Sequence, residues 1–173
     1  MKLVLTNCVL LLITCITLAQ TNDPEKSKAY FISGQKKFNV AQYKTAIEEF
    51  TLAIQADSTN TNAWIRRGFT KGMVKDFDGE MGDYTQVIAI DPEHKWAYIS
   101  RGSARNRTGD YANAMEDFNK AIALDPKEAE AFNNRGFTKK LSGDLEGACA
   151  DWKISKKLGN DEAKIILKNN HCR

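Results

Sequence analysis

The chain has 173 residues, 42% of them hydrophobic and 27% charged, enough for one packed core with a well-solvated exterior. A formal net charge of only +3 gives no ground for a nucleic-acid-binding role, and the absence of low-complexity tracts argues against a disordered scaffold.

The chain opens with MKLVLTNCVLLLITCITLAQ, in which Lys2 precedes an apolar stretch from Val9 to Leu18. About ten apolar residues fall short of the ~20 that a spanning helix needs. Thr17-Leu18-Ala19 places small residues where signal peptidase requires them, so residues 1–19 are read as a signal peptide cut before Gln20. A lipid anchor on Cys15 is the less favoured reading, since Thr14 precedes it and apolar residues still follow. The expectation is an exported protein, periplasmic or secreted, that is not membrane-spanning once the leader is gone. Residues 20–26 are read as a linker.

From residue 27 onward the chain repeats itself. RGFTKGMVKDFDGEMGDYTQVIAIDP begins at Arg67, RGSARNRTGDYANAMEDFNKAIALDP at Arg101, and RGFTKKLSGDLEGACADWKISKKLGN at Arg135. Gly34, Gly68, Gly102 and Gly136 keep the same interval, as do Phe50, Tyr84, Phe118 and Trp152, and Tyr30, Trp64, Tyr98 and Phe132. Such a period is that of stacked helical hairpins. In each unit an apolar-periodic stretch such as 62–74 predicts a first helix, with one Gly where a neighbour must approach closely. A polar break follows (NVAQ, KDFD, TGDY or SGDL), then a second helix such as 112–124 with apolar residues at helical spacing. Asp91-Pro92 and Asp125-Pro126 stop that helix, because Pro lacks an N–H and disfavours the helical region in the residue before it.

Two departures carry expectations. Glu80 stands where the other units have Ala46, Ala114 and Ala148, and Gly79 and Gly82 flank it, so the second helix of unit two is predicted to be the least stable in the stack. Ser58 and Asn160 replace the closing Pro, so units one and four are expected to end less sharply.

The pattern resembles the tetratricopeptide repeat. The family's first aromatic, its helix-contact Gly, its small second-helix residue, its bulky aromatic and its closing Pro all have matches at the positions named above, over residues 27–160. The resemblance implies an all-α, right-handed solenoid of four helix-turn-helix repeats, over 27–60, 61–94, 95–128 and 129–160, plus a capping helix over 161–173. It implies also that the first helices line a concave groove where peptides or partner helices bind. By unit position the groove residues would be Phe31, Gln35, Ile65, Phe69, Trp96, Ile99, Ser103, Asn133 and Phe137, although Ile65 and Ile99 could equally serve only to pack. The set departs from the Lys and Asn clamp with which one subgroup of the family grips C-terminal carboxylates.

Two further pairings concern stability. Arg67, Arg101 and Arg135 each precede the repeated Gly, and Asp83, Asp117 and Asp151 each precede the second-helix aromatic; unit one has Ser33 and Glu49 instead. Arginine and aspartate therefore come and go together, as expected of structural ion pairs that hold neighbouring helices in register. The partner helix of each pair, in the same unit or the next, is open at this point. Removal of the leader leaves two cysteines, Cys149 and Cys172, about equally far from the turn at Asn160. A disulfide between them would tie down the capping helix and contribute ~3 kcal/mol in an oxidising compartment.

Nothing in the chain assembles catalytic chemistry. His94 and His171 have no metal-ligand partners at useful spacing, and each repeat Gly is isolated inside a helix instead of forming a phosphate loop. No enzymatic activity, cofactor or metal is expected. Asn106-Arg107-Thr108 matches a glycosylation acceptor but falls at a helix end. The function read from the sequence is a protein–protein interaction module, an adaptor in the cell envelope whose ligand is a peptide or protein. The alternative is a structural scaffold that self-associates, and the oligomeric state is open.

Overall fold

A computed structural model describes residues 22–172; the leader predicted over 1–19 lies outside them. The described residues form nine helices and no strand: α1 (Pro24–Asn39), α2 (Tyr43–Ala56), α3 (Thr61–Met73), α4 (Phe77–Ile90), α5 (Lys95–Thr108), α6 (Tyr111–Leu124), α7 (Ala129–Leu141), α8 (Leu145–Lys157) and α9 (Asp161–Asn169). Each helix packs on its sequence neighbours, α1 on α2, α2 on α3 and so on to α8 on α9. The result is a row of hairpins with α9 laid on the last.

Helix starts are set by side chains that take the free N–H groups of the first turn. Asn60, Asp76, Asp110, Asp144 and Asn160 each accept from the N–H three residues on, and His94 does so through Nδ1, 3.1 Å from the Ala97 nitrogen. Helix α1 begins at Pro24, inside the stretch 20–26 read as a linker. Asp23 accepts from the Lys26 N–H, and Pro24 fits the first turn, where a missing donor costs nothing.

Helix ends revise one expectation. Helix α2 stops at Ala56 as cleanly as α4 stops at Ile90 and α6 at Leu124. In all three an extended Asp follows (Asp57, Asp91 or Asp125), and its carboxylate accepts from the N–H two residues on. The Asp therefore makes the stop, and Ser58 in place of Pro does not blunt it. Unit four ends differently, through Leu158 and then Gly159 at φ +100°.

Between the two helices of each hairpin the chain needs one residue in the left-handed region. Ala41, Lys75, Gly109 and Gly143 occupy that place, at φ +57°, +65°, +81° and +93°. Only the last two are the residue type that takes this conformation without a Cβ penalty.

The core runs along the row of hairpins. Phe50, Phe118 and Trp152 are completely buried, Tyr84 nearly so, and Ala46, Ala114 and Ala148 sit beside them with no exposure. The repeated glycines let the two helices of a hairpin close on these rings. A Cβ on Gly34 would lie 2.6 Å from the Phe50 ring, one on Gly102 2.9 Å from Phe118, and one on Gly136 2.6 Å from Trp152.

Candidate functional site

The predicted arginines and aspartates are brought together within each hairpin. Arg67 grips Asp83 with two hydrogen bonds of 2.9 and 2.7 Å, Arg101 grips Asp117 at 3.1 and 2.7 Å, and Arg135 grips Asp151 at 2.8 and 2.7 Å. A second cation, Lys71, Arg105 or Lys139, reaches the same carboxylate from one turn on. Each arginine also donates backward to the second helix of the preceding unit, to Thr51, Thr85 or Asn119. Its guanidinium lies over the unit's first aromatic ring, Trp64, Tyr98 or Phe132. One side chain therefore joins three elements, and the bidentate geometry fixes their relative height. The co-occurrence was legible in the repeat, but the backward contact, which lands on Thr, Thr and Asn, was not.

The predicted disulfide is present: Cys149 and Cys172 are bonded with Cα atoms 5.5 Å apart, joining α8 to the residues that follow α9.

The first helices α1, α3, α5 and α7 share one face, and the nine predicted groove residues divide on it. Phe69 and Trp96 are each 45% exposed, and Phe69 shares a cavity wall with the exposed Met73. The rings of Phe69 and Phe38 meet 5.7 Å apart and carry the apolar surface from unit one to unit two. Phe31 packs on Phe50 and Phe137 on the edge of Trp152, both half-buried. Ile65 is half-buried as well. Ile99 and Asn133 are buried, Ile99 in a core cluster that includes Ala131 of the next unit. The main chain of Asn133 accepts from the Trp152 indole, while its side-chain oxygen has no hydrogen-bond partner among the described residues.

Phe69, Ile99 and Ser103 converge on a cavity of about 240 Å³ together with Met73, Tyr84 and Ser100. Its distinctive members are Glu80 and Arg107, which the sequence reading did not join. Glu80 is 4% exposed and pairs with Arg107, so α4 of unit two is bonded to α5 of unit three. Gly72 makes room for it, since a Cβ there would lie 2.6 Å from the Glu80 carboxylate. Burial pushes the Glu80 carboxyl above the usual range, and Arg107 opposes that shift. Burial also pushes the Tyr84 hydroxyl up to about 12, with Glu80 adding to it. Glu130, on the far wall, is raised by burial and then by Glu128. Gln35 lines a second, smaller cavity of about 190 Å³ with Phe38 and Arg66.

Glu80 is held by Arg107. No group of three His, Cys, Asp or Glu among the described residues could hold a metal, and no described helix is long and apolar enough to cross a membrane. Asn106, of the glycosylation motif, already uses its amide on Thr138 at 2.9 Å.

Comparisons agree with this geometry. Residues 102–143 match the model of the family described as TPR repeat. The solenoid has the fold of tetratricopeptide repeats. The crystal structure of MamA superposes with a TM-score of 0.73 at 20% identity, over 82% of this chain and 83% of that one. YrrB, described as a TPR protein with an unusual peptide-binding site, gives 0.73 at 19%, over 83% and 74%. The first TPR of Spaghetti (RPAP3), bound to the HSP90 peptide SRMEEVD, gives 0.65 at 27%, over 72% and 96%. No curated protein matches the chain in sequence.

Proposed function

We propose that this tetratricopeptide-repeat protein is a non-catalytic interaction module that binds a peptide or a segment of a partner protein along the face of α1, α3, α5 and α7. The observation that carries the reading is the pair of large aromatics left open there. Phe69 and Trp96, on the first helices α3 and α5, expose almost half their surface, and Phe69 lines a cavity with hydroxyls and a charged pair at its base. Rigid aromatic side chains next to a polar pocket are the usual anchors of protein recognition, since they bury large area at low entropic cost. The solved relatives with bound or described peptide sites support the same reading. An adaptor role in the cell envelope is the finer form of the proposal. The leader-like N-terminus supports it, as does a disulfide of the kind that persists in oxidising compartments.

The test uses a peptide selected against the protein from a displayed library. Phe69→Ala with Trp96→Ala is expected to weaken its binding at least ~30-fold, the effect of losing about 2 kcal/mol, with helicity unchanged. Unaltered affinity in a folded double variant overturns the groove. Concentration-dependent self-association seen by light scattering and abolished by the same substitutions would assign the face to a scaffold instead.

A further inference from the structure

The cavity between units two and three carries a charge pattern that narrows what the peptide-binding face takes. Its walls come from α3, α4, α5 and α7, and its charged groups are Glu80, Arg107 and Glu130. Two carboxylates meet one cation there, although the chain as a whole carries a net charge of +3. Arg107 is already committed. It bonds the Glu80 carboxylate, and its guanidinium lies 4.9 Å from the centre of the Phe77 ring. Glu130 is open to solvent and has no ion-pair partner among the described residues. Its carboxylate accepts a hydrogen bond from the Asn134 amide, which also reaches the Ser103 hydroxyl at 3.5 Å. Partial burial raises the Glu130 carboxyl above its usual range, and Glu128 and Glu162 add to the rise against the pull of Asn134.

Each kind of incoming side chain meets this pattern differently. A carboxylate would have to take Arg107 away from Glu80, which is 4% exposed and would be left as a buried charge without its cation. An uncharged side chain would strip water from Glu130 and return nothing for it. A cation meets Glu130 and leaves the Glu80–Arg107 bond intact, and the surplus of carboxylates over cations favours it. The apolar lining fits the same occupant. Phe69, Met73 and Ile99 offer a wall for a methylene stem, along which lysine and arginine lie while their charged ends reach a polar group. The exposed Phe69 ring adds a face over which a cation is attracted. At about 240 Å³ the cavity is smaller than the ~300 Å³ at which small-molecule sites begin, so it has room for one side chain and not for a cofactor.

We propose that the cavity is the specificity pocket of the peptide-binding face and takes a basic side chain of the partner, arginine or lysine, with its stem on Phe69 and Met73 and its charge on Glu130. The inference rests on the reading of the first-helix face as a peptide site and names the residue type that this site selects.

The experiment selects random peptides displayed on phage against the protein and measures the affinity of the enriched peptides by calorimetry. Enrichment of arginine or lysine at one fixed position is expected. Replacing that residue of the peptide by alanine should weaken binding about ten-fold or more, the effect of losing a charge-assisted hydrogen bond. Against Glu130→Gln, checked for helicity by circular dichroism, the same replacement should cost less than about three-fold, which locates the basic residue at Glu130. Selection against Glu130→Lys should exchange the basic residue for an acidic one, a change that loss of folding could not produce. Peptides that depend on Phe69 and Trp96 but carry no basic residue, or lose nothing when it is replaced, overturn the pocket and leave the groove standing. An unchanged basic preference against Glu130→Lys overturns the pocket in the same way. Peptides whose binding ignores Phe69→Ala with Trp96→Ala overturn the groove, and the pocket with it.

Discussion

In the α5–α6 hairpin the turn falls on Gly109, the second helix carries Ala114 at its close contact, and Asn106 bonds across to Thr138 of the next unit. One period earlier, in α3–α4, the turn falls on Lys75, the second helix carries Glu80, and Gly72 stands where Asn106 would be. What the two hairpins share is just as specific. Gly68 and Gly102 admit the partner helix, Tyr84 and Phe118 fill the core, and Asp83 and Asp117 each hold two cations. The clamp and core positions are kept, whereas the positions from which Asn106 and Glu80 reach the next unit differ between the two hairpins. Glu80, with Gly72 making room for it, puts a charged pair at the base of the groove cavity.

The largest expected effect tests the shared part. Asp83→Ala and Asp117→Ala should each cost about 3 kcal/mol in denaturant unfolding, because each strands an arginine and a second cation that converge on one buried carboxylate. Costs of the same size would establish that the clamp works alike in both hairpins. A much smaller loss at Asp83 would mean that Glu80 and Arg107 have taken over part of its work.

Much of this was readable in one chain because a repeat is its own alignment. Glycine, aromatic and Arg–Asp positions recur at a fixed interval, and recurrence separates packing parts from the rest. The features that escaped are those that occur once or whose residue type conceals them. Ala41 and Lys75 occupy the left-handed turn position without being glycine. The bond from Glu80 to Arg107 joins residues of different units and has no copy elsewhere in the chain. Of the residues assigned to the groove, Ile99, for which a packing role was left open, and Asn133, for which it was not, are both buried.

The intermediate effects concern the departures. Gly79 lies in the first turn of α4, where the Asp76 side chain caps it, so it is less of a defect than its sequence position implied. Gly82 is different: a Cβ there would meet nothing within 4 Å. Gly82→Ala should therefore stabilise by about 1 kcal/mol. Lys75→Gly should gain about the same by relieving the left-handed turn, while Gly109→Ala should lose it. In the parent chain, amide exchange is expected to be faster across 77–89 than across 111–123, and the two stabilising substitutions should narrow that gap. Equal protection in the parent would remove the contrast between the hairpins.

The smallest effect probes Glu80 itself, and its sign separates two accounts of the pair. Burial raises the carboxyl above its unfolded value of 4.5, and Arg107 pulls it back without cancelling the rise. Between 4.5 and the higher native value, the folded chain keeps a proton that the unfolded chain has released. Stability conferred by this group is then full below 4.5, falls as pH climbs through that window, and is level above it. Glu80→Gln keeps an oxygen to accept from Arg107 but does not titrate, so the difference in unfolding free energy between parent and variant isolates the group from all other carboxylates. The difference should move against the parent as pH rises past 4.5. A difference that moves in the parent's favour would mean that the ion pair outweighs burial, and that the charged carboxylate was placed in the cavity to stabilise the junction of units two and three.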